Sequence, residues 1–258
     1  MKNIFSKILF FIPFLLIFLF LIYHYRFIYT TPFDEKYAKD LFDHSQYRIP
    51  QSPRSISDEL LYQVAGVDYL RTGDIFNINP EAPPLGKYIY GLSILIFKNA
   101  QVISIFIFII CFYIYFLILK EIFGKKSYLI YLGLFLFILE PLMFHQMTIA
   151  MLDLPQLLGF LIHVYSFLRI IKEKNDIKFL FLWSILAGLS LGWFISTKVG
   201  FFAIPILMVE VILLLKIKKI TSIILIFLFS ILFFLISHLP FFFKGNNFID
   251  FIKAQKWI

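Results

Sequence analysis

The sequence predicts an all-α integral membrane protein: a bundle of about seven transmembrane helices, with a long loop outside the membrane after the first. Of the 258 residues, 60% are hydrophobic, and the mean hydropathy is +0.86. Soluble domains are about 45–50% apolar, so lipid must solvate much of this surface. Two further observations support this fold class: a series of long apolar stretches, and basic residues that cluster between them.

Seven apolar stretches are candidate spans, because a helix needs about 20 apolar residues to cross the hydrocarbon core of a bilayer. They are 8–23, 102–119, 127–139, 154–168, 179–197, 199–215 and 220–243. The third and fourth are the shortest, and Glu210 interrupts the sixth. The first follows Lys2 and Lys7, as in a signal peptide, but no small-residue cleavage site comes after it. We therefore interpret it as a span.

The charges between the spans predict how the chain is oriented. With a cytoplasmic N-terminus, the inner segments 1–7, 120–126, 169–178 and 216–219 hold 12 Lys/Arg and three acidic residues. The first outer loop, 24–101, holds eight basic and nine acidic residues. This bias follows the positive-inside rule. We expect a multi-pass protein of the plasma (inner) membrane whose partner is the bilayer, and the net charge of +8 then needs no nucleic acid.

The first outer loop contains a helical pattern. Apolar residues recur there at steps of three and four residues: Ile56, Leu60, Val64, Val67 and Leu70. This spacing predicts a one-faced helix, with Ser55 as N-cap, Asp58 completing a capping box and Gly73 ending it. A second apolar stretch, 85–97, is too short to span. We expect both helices to lie on the outer membrane face with their apolar sides toward lipid.

Three stretches of this sequence carry a family resemblance. Residues 57–92 contain Asp58-Glu59, Gly66 with Tyr69-Leu70, Gly73-Asp74, Asn79-Pro80-Glu81 and Pro83-Pro84-Leu85-Gly86-Lys87. The other two are EPLMFHQMTIAMLDLP, 140–155, and LAGLSLGWFISTKVGFF, 186–202. They resemble, in the same order, the first luminal loop, the loop after the third span and the Gly-rich helix ending in Lys of protein O-mannosyltransferases. That family belongs to the GT-C class of glycosyltransferases, and the charge rule places all three stretches outside.

The chain departs from the family pattern in three ways. Gln146, Met147 and Thr148 stand where the family usually has an Arg shortly before the Asp of the second motif. A segment of about 25 residues with its own acidic pair, Asp34-Glu35, separates the first span from Asp58. Family members continue with further spans, so we expect residues 1–258 to be one GT-C-like module from the N-terminal part of such a protein, with little turnover alone.

The resemblance implies a reaction. A sugar such as mannose would pass from a polyprenyl-phosphate sugar to a hydroxyl of an acceptor protein or glycolipid, with inversion, at the outer membrane face. Such a reaction needs a carboxylate that accepts the proton of the acceptor hydroxyl. It also needs cations or donors that stabilise the departing phosphate. The donor is a substrate, so we expect no cofactor.

The resemblance makes Asp58 the candidate catalytic base and Glu59 its neighbour, which binds the acceptor or tunes the base. On residue type alone, Asp58 is equally a helix-capping acid at the surface. The alternative catalytic pair is Asp34 and Glu35, which also follows the first span.

Four other residues are candidates for substrate binding: Asp153, Lys198, Lys87 and His145. Each also has a simpler explanation. Asp153 suits the start of a helix, the two lysines can extend toward the membrane interface, and a lone His is commonly structural. We expect Glu210 to be an interfacial acid paired with inner lysines. The single cysteine, Cys111, rules out a disulfide framework, and no ligand spacing predicts a metal site.

Two other classes of protein remain open at this point. A transporter or flippase of a lipid-linked sugar would need spans broken near the midplane and polar groups inside the bilayer, whereas most of these spans are uninterrupted. A non-catalytic, truncated homologue of the enzyme would share all three motifs.

Overall fold

The protein is helical throughout the part that a computed structural model describes, which is residues 2–124, 126–173, 176–198 and 200–255. A 3-10 turn, Gly200–Phe202, precedes the twelfth helix. In chain order the helices are α1 (Lys2–His24), α2 (Arg26–Thr30), α3 (Glu35–Asp43), α4 (Asp58–Thr72), α5 (Ile75–Ile78), α6 (Leu85–Phe97), α7 (Val102–Phe123), α8 (Ser127–Leu139), α9 (Pro141–Thr148), α10 (Asp153–Lys172), α11 (Ile177–Thr197), α12 (Ala203–Lys216), α13 (Ile220–Ser237), α14 (Leu239–Phe243) and α15 (Phe248–Gln255). Lys125 and Lys174, which enter the charge count above, lie outside the described residues, as do 1, 175, 199 and 256–258.

Four of the described helices, α7, α10, α11 and α13, are long and apolar enough to cross a membrane. Helices α8 and α9 make a fifth candidate if the pair is one span, bent by 50°. The bend falls at Pro141, which has no backbone N–H and begins α9. Among the described residues, length and composition therefore support four spans, or five with the bent pair, where the sequence predicted about seven. Helix α12 has 14 residues, or about 21 Å at 1.5 Å per residue, against a hydrocarbon core of about 30 Å.

Small residues bring the long helices close together. A Cβ added at Gly192 of α11 would lie 2.8 Å from the Ser230 carbonyl oxygen of α13. One added at Gly159 of α10 would lie 2.6 Å from Trp193 of α11. Lipid tails are as apolar as leucine side chains, so close approach and van der Waals packing hold such helices together. Helix α11 thus packs tightly between α10 and α13.

The helices have two polar ends. At one end Glu121 contacts Arg169 (Oε1 to Nη1, 2.9 Å) and Lys172 (Oε2 to Nζ, 2.7 Å). The Lys219 ammonium donates there to the carbonyls of Ile170 and Glu173. Three of the predicted inner segments therefore meet at the same end of the bundle. The predicted outer segments meet at the other end, and which end faces the cytoplasm stays a prediction.

The outer loop is built around two crossing helices, α4 and α6. Their backbones touch at Gly66 and Gly91: a Cβ added at Gly91 would lie 2.8 Å from the Val67 nitrogen. Ser57, whose side chain accepts from Leu60 N, is the N-cap of α4, so the predicted cap at Ser55 is wrong. Gly73 ends the helix in the left-handed conformation, with φ of 70°.

Helix α4 is not the one-faced helix that its spacing predicted. It packs between α3 and α6, and buried residues surround its axis: Leu61, Gln63, Val64, Ala65, Gly66, Val67 and Tyr69. Leu70, predicted on the apolar face, is 40% exposed. Because α3 covers one side of α4, α4 belongs to the packed core of the outer loop. Helix α6 does expose an apolar surface near its end, formed by Leu92, Leu95, Ile96 and Phe97.

Candidate active site

The three sequence motifs meet at one point of the structure. Gly86, at the start of α6, belongs to the first motif; Leu152 belongs to the second and Thr197 to the third. A Cβ added at Gly86 would lie 2.7 Å from Leu152 Cδ2 and 2.9 Å from Thr197 Cγ2. The residues that follow in the chain, Asp153 and Lys198, are therefore neighbours of this junction.

Asp153 and Lys198 form an ion pair across two long helices. Asp153 is the first residue of α10 and Lys198 follows the last residue of α11. The Lys198 Nζ lies 2.6 Å from Asp153 Oδ1, and the two side chains are 39% and 38% exposed. Nearby, the Trp193 indole donates to the Pro155 carbonyl (2.8 Å), which holds the two helix ends together. The helix ends that carry the pair are thus fixed, while its charged groups are accessible to solvent.

Glu59 connects the outer loop to this pair. Its Oε1 accepts hydrogen bonds from the Ala150 backbone nitrogen (3.0 Å), Gln101 Nε2 (2.8 Å) and Gln63 Nε2 (3.4 Å). Ala150 lies in the short segment that leads into α10, and Gln101 precedes α7. A single carboxylate oxygen therefore ties the start of α4 to the segments that precede α7 and α10. Its partner Ala150 is three residues before Asp153 in the sequence.

Asp58 is the first residue of α4 and is exposed, and Tyr62, four residues later, lies on the same helix face. Burial, together with the carboxylates of Asp58, Glu81 and Asp153, raises the pKa of Tyr62 to about 12. All three carboxylates therefore act on the Tyr62 hydroxyl. Asp58 also precedes Glu59, whose hydrogen bond from Ala150 N fixes the start of α4 beside the segment that leads into α10.

Several residues of this site carried little sequence signal. The Tyr47 hydroxyl donates to Glu81 Oε2 (2.7 Å), and burial and Glu81 raise its pKa. Tyr62 follows Asp58 by four residues and so shares its helix face, which is a signal that sequence reasoning could have used. Gln101 reaches Glu59 only through the fold.

Lys87 has a structural position. Its ammonium is fully buried and donates to the carbonyls of Asn79 (2.7 Å) and Ala82 (2.8 Å) and to the Tyr69 hydroxyl (3.2 Å). Burial lowers its pKa to about 7. Lys87 therefore holds the Asn-Pro-Glu turn of the first motif, and its side chain is closed off from solvent.

The two residues of the alternative acidic pair, Asp34 and Glu35, have different structural roles. Asp34 caps α3, with its Oδ1 accepting from Tyr37 N (2.9 Å). Glu35 pairs with Arg71, and the Arg71 hydrogen bond holds the pKa of the Glu35 carboxyl below its usual range. Arg71 is in the last turn of α4, about 20 Å along the helix from Asp58 at 1.5 Å per residue. Glu35 thus lies at the opposite end of α4 from Asp58.

His145 is exposed on α9. Among the described residues, no hydrogen bond or ion pair joins its ring to Asp58, Asp153 or Lys198. Within the same residues, no group of three His, Cys, Asp or Glu side chains is arranged to hold a metal ion. The chemistry available at the site is that of carboxylates, an ammonium group and tyrosine hydroxyls.

Fold and site together define a multi-pass membrane protein with acidic and basic groups gathered at one end of its helices, the form of a GT-C glycosyltransferase. Residues 98–251, about three fifths of the chain, match the family described as dolichyl-phosphate-mannose-protein mannosyltransferase. The chain belongs to this family and is a glycosyltransferase. No curated protein and no solved structure matches it. The family match includes Asp153 and Lys198, whereas Asp58 and Glu59 precede it.

Proposed function

We propose that this protein transfers mannose from a polyprenyl-phosphate donor to a protein hydroxyl at the outer face of the plasma membrane, with Asp58 as general base. The observation that carries the proposal is the set of hydrogen bonds on Glu59. They fix the start of α4 beside the segment that leads to the Asp153–Lys198 pair. A carboxylate on one side and an ammonium on the other is the arrangement that glycosyl transfer from a phosphate needs.

The reaction is a single displacement. The acceptor oxygen forms a bond to C1 of the sugar, and the bond from C1 to the phosphate oxygen breaks with its electron pair leaving on the polyprenyl phosphate. Asp58 takes the proton of the acceptor hydroxyl. Attack opposite the leaving group inverts the configuration at C1.

Lys198 is suited to the departing phosphate. Its ammonium has three donors, and Asp153 occupies one direction at 2.6 Å. Since the side chain is 39% exposed, a phosphate oxygen can approach from the open side while Asp153 keeps the ammonium oriented. Tyr62, whose pKa is about 12, keeps its proton at neutral pH and supplies a neutral donor on the same helix face as Asp58.

The test is Asp58→Asn in the full-length native protein in membranes, assayed with a polyprenyl-phosphate mannose and a threonine peptide. Ser57 still caps α4, so folding should survive, and transfer should fall about 10²-fold or more. Asp40→Asn is the matched control, because Asp40 is also an exposed helix acid and pairs with the surface groups Arg54 and His44. Full transfer by Asp58→Asn, together with its loss in Asp34→Asn, would show that the alternative acidic pair supplies the base.

A further inference from the structure

A cavity of about 380 Å³ lies beside Glu59, which accepts hydrogen bonds from two of its lining residues. Its polar lining consists of Thr31, Asp34, Gln63 and Gln101, and its apolar wall includes Ile28 and Phe33. Ligand sites commonly occupy about 300–1,000 Å³ and combine apolar walls with a few polar groups. The cavity therefore has the size and the chemistry of a binding site.

The cavity shares two lining residues with the hydrogen bonds that hold Glu59. Gln63 and Gln101 both line it, and both donate their amide hydrogens to Glu59 Oε1, at 3.4 and 2.8 Å. Because each amide nitrogen is directed at Glu59, each amide oxygen remains available as an acceptor. A molecule that fills the cavity thus contacts the same two side chains that hold the start of α4.

The charge of the residues that line the cavity indicates which kind of ligand it favours. Among the described lining residues, Asp34 is the one charged group and no cation is present. An anionic group, such as the donor phosphate, would be repelled here. The oxygens of Asp34 and the two amides accept hydrogen bonds, so they match the N–H groups of a peptide backbone and the donors of its side chains. Ile28 and Phe33 offer apolar surface to the peptide's other side.

We propose that this cavity binds the acceptor as an extended peptide segment of neutral or positive charge, which presents its hydroxyl residue beside Glu59. The proposal rests on the proposed function, because the peptide is the acceptor of the Asp58-dependent transfer. Asp34 is then a specificity-determining residue and takes no part in the proton transfer. Its carboxylate has one oxygen occupied by Tyr37 N, which leaves the other for the peptide.

The test uses the full-length protein in membranes, a polyprenyl-phosphate mannose, and two threonine peptides that differ only in flanking Lys or flanking Glu residues. The native protein should prefer the Lys peptide. Asp34→Lys should reverse that preference by about tenfold or more in kcat/KM, through the KM of the peptide. The KM of the donor and slow hydrolysis of the donor by water should not change. Unchanged peptide preference in Asp34→Lys would overturn the proposal.

A second variant fills the space. Ile28→Trp should raise the KM of both peptides about tenfold while donor hydrolysis, which needs no peptide, continues. Donor hydrolysis also shows that the variant is folded; if it is lost, the Asp34→Lys result alone decides. Peptide KM values equal to those of the native protein in a folded Ile28→Trp would overturn the cavity assignment. Failure of Asp58→Asn to lower transfer would instead count against the proposed function, so the two failures are distinguishable.

Discussion

His163 and Glu210 form a buried polar contact inside the helix bundle, with Nε2 of the ring 2.8 Å from Oε1 of the carboxyl. The other ring nitrogen, Nδ1, lies 2.8 Å from the Ala187 carbonyl oxygen. A carbonyl only accepts, so Nδ1 carries a proton, and the contact to Glu210 is made by one further proton shared between ring and carboxyl. The ring thereby links α10, α11 and α12. The expected pairing of Glu210 with inner lysines is wrong.

This contact predicts an asymmetry between single and double substitutions. Glu210→Leu leaves the buried ring of His163 without its partner and should lower the free energy of unfolding by about 3–5 kcal/mol. The double variant His163→Phe with Glu210→Leu should recover most of that loss, because both polar groups are then replaced by apolar ones. Denaturant unfolding in detergent measures both. A double variant that is less stable than either single variant would contradict the prediction.

A second prediction separates activity from stability at Lys198. Lys198→Met should lower kcat about 10²–10³-fold, because the departing phosphate loses a cation. The unfolding free energy should change by only about 0–1 kcal/mol, since ion pairs exposed to this degree contribute little. Turnover and unfolding of the same preparation measure the two effects.

Lys244 provides the matched control for Lys198. It pairs with Asp74 (3.6 Å), and its side chain is 39% exposed, as is that of Lys198. Lys244→Met removes an equally exposed ammonium and should leave kcat within about twofold of the native value. Equal losses in both variants would mean that Lys198 acts only through the charge of the surface.

A third prediction concerns pH. The pKa of Lys87 is about 7 in the folded chain and about 10.4 when unfolded. Between these values the unfolded chain binds more protons, so the unfolding free energy should rise with pH, by up to about 1.4 kcal/mol per unit. Lys87→Met cannot titrate and should lack this contribution between pH 7.5 and 9.5. Parallel stability curves for the two proteins would show that the ammonium stays charged in the fold.

How far sequence reasoning reached differs between the fold and the site. The membrane helices and the positions of Asp153 and Lys198 at helix ends followed from apolar length and flanking charge. Glu59 could be singled out only by its resemblance to a family motif, because its three donors come from separate parts of the chain. The burial of Lys87 could not be predicted either, since its acceptors are two backbone carbonyls and Tyr69. Every residue has a backbone carbonyl, so the sequence does not show which carbonyls accept a hydrogen bond.

A fourth prediction tests the orientation. Leu70, in the outer loop, and Ile217, in a predicted inner segment, are both 40% exposed. A cysteine at 70 should react with a membrane-impermeant thiol reagent from outside, and one at 217 only after the membrane is opened. The native thiol of Cys111 is buried, so it should not contribute to the signal. The reverse pattern would invert the topology and move the candidate site to the cytoplasmic face.

The contact between the backbones of α4 and α6 has a consequence for mutational scanning. A methyl group at Gly66 would be forced against the Lys87 carbonyl and within 2.8 Å of the Gly91 nitrogen. An alanine scan of this loop will therefore score both glycines as essential, at the same level as Asp58, although neither has a side chain to offer a sugar. Protein yield separates the two kinds of loss: the glycine variants should be depleted from the membrane, and the Asp58 variant should accumulate there in inactive form.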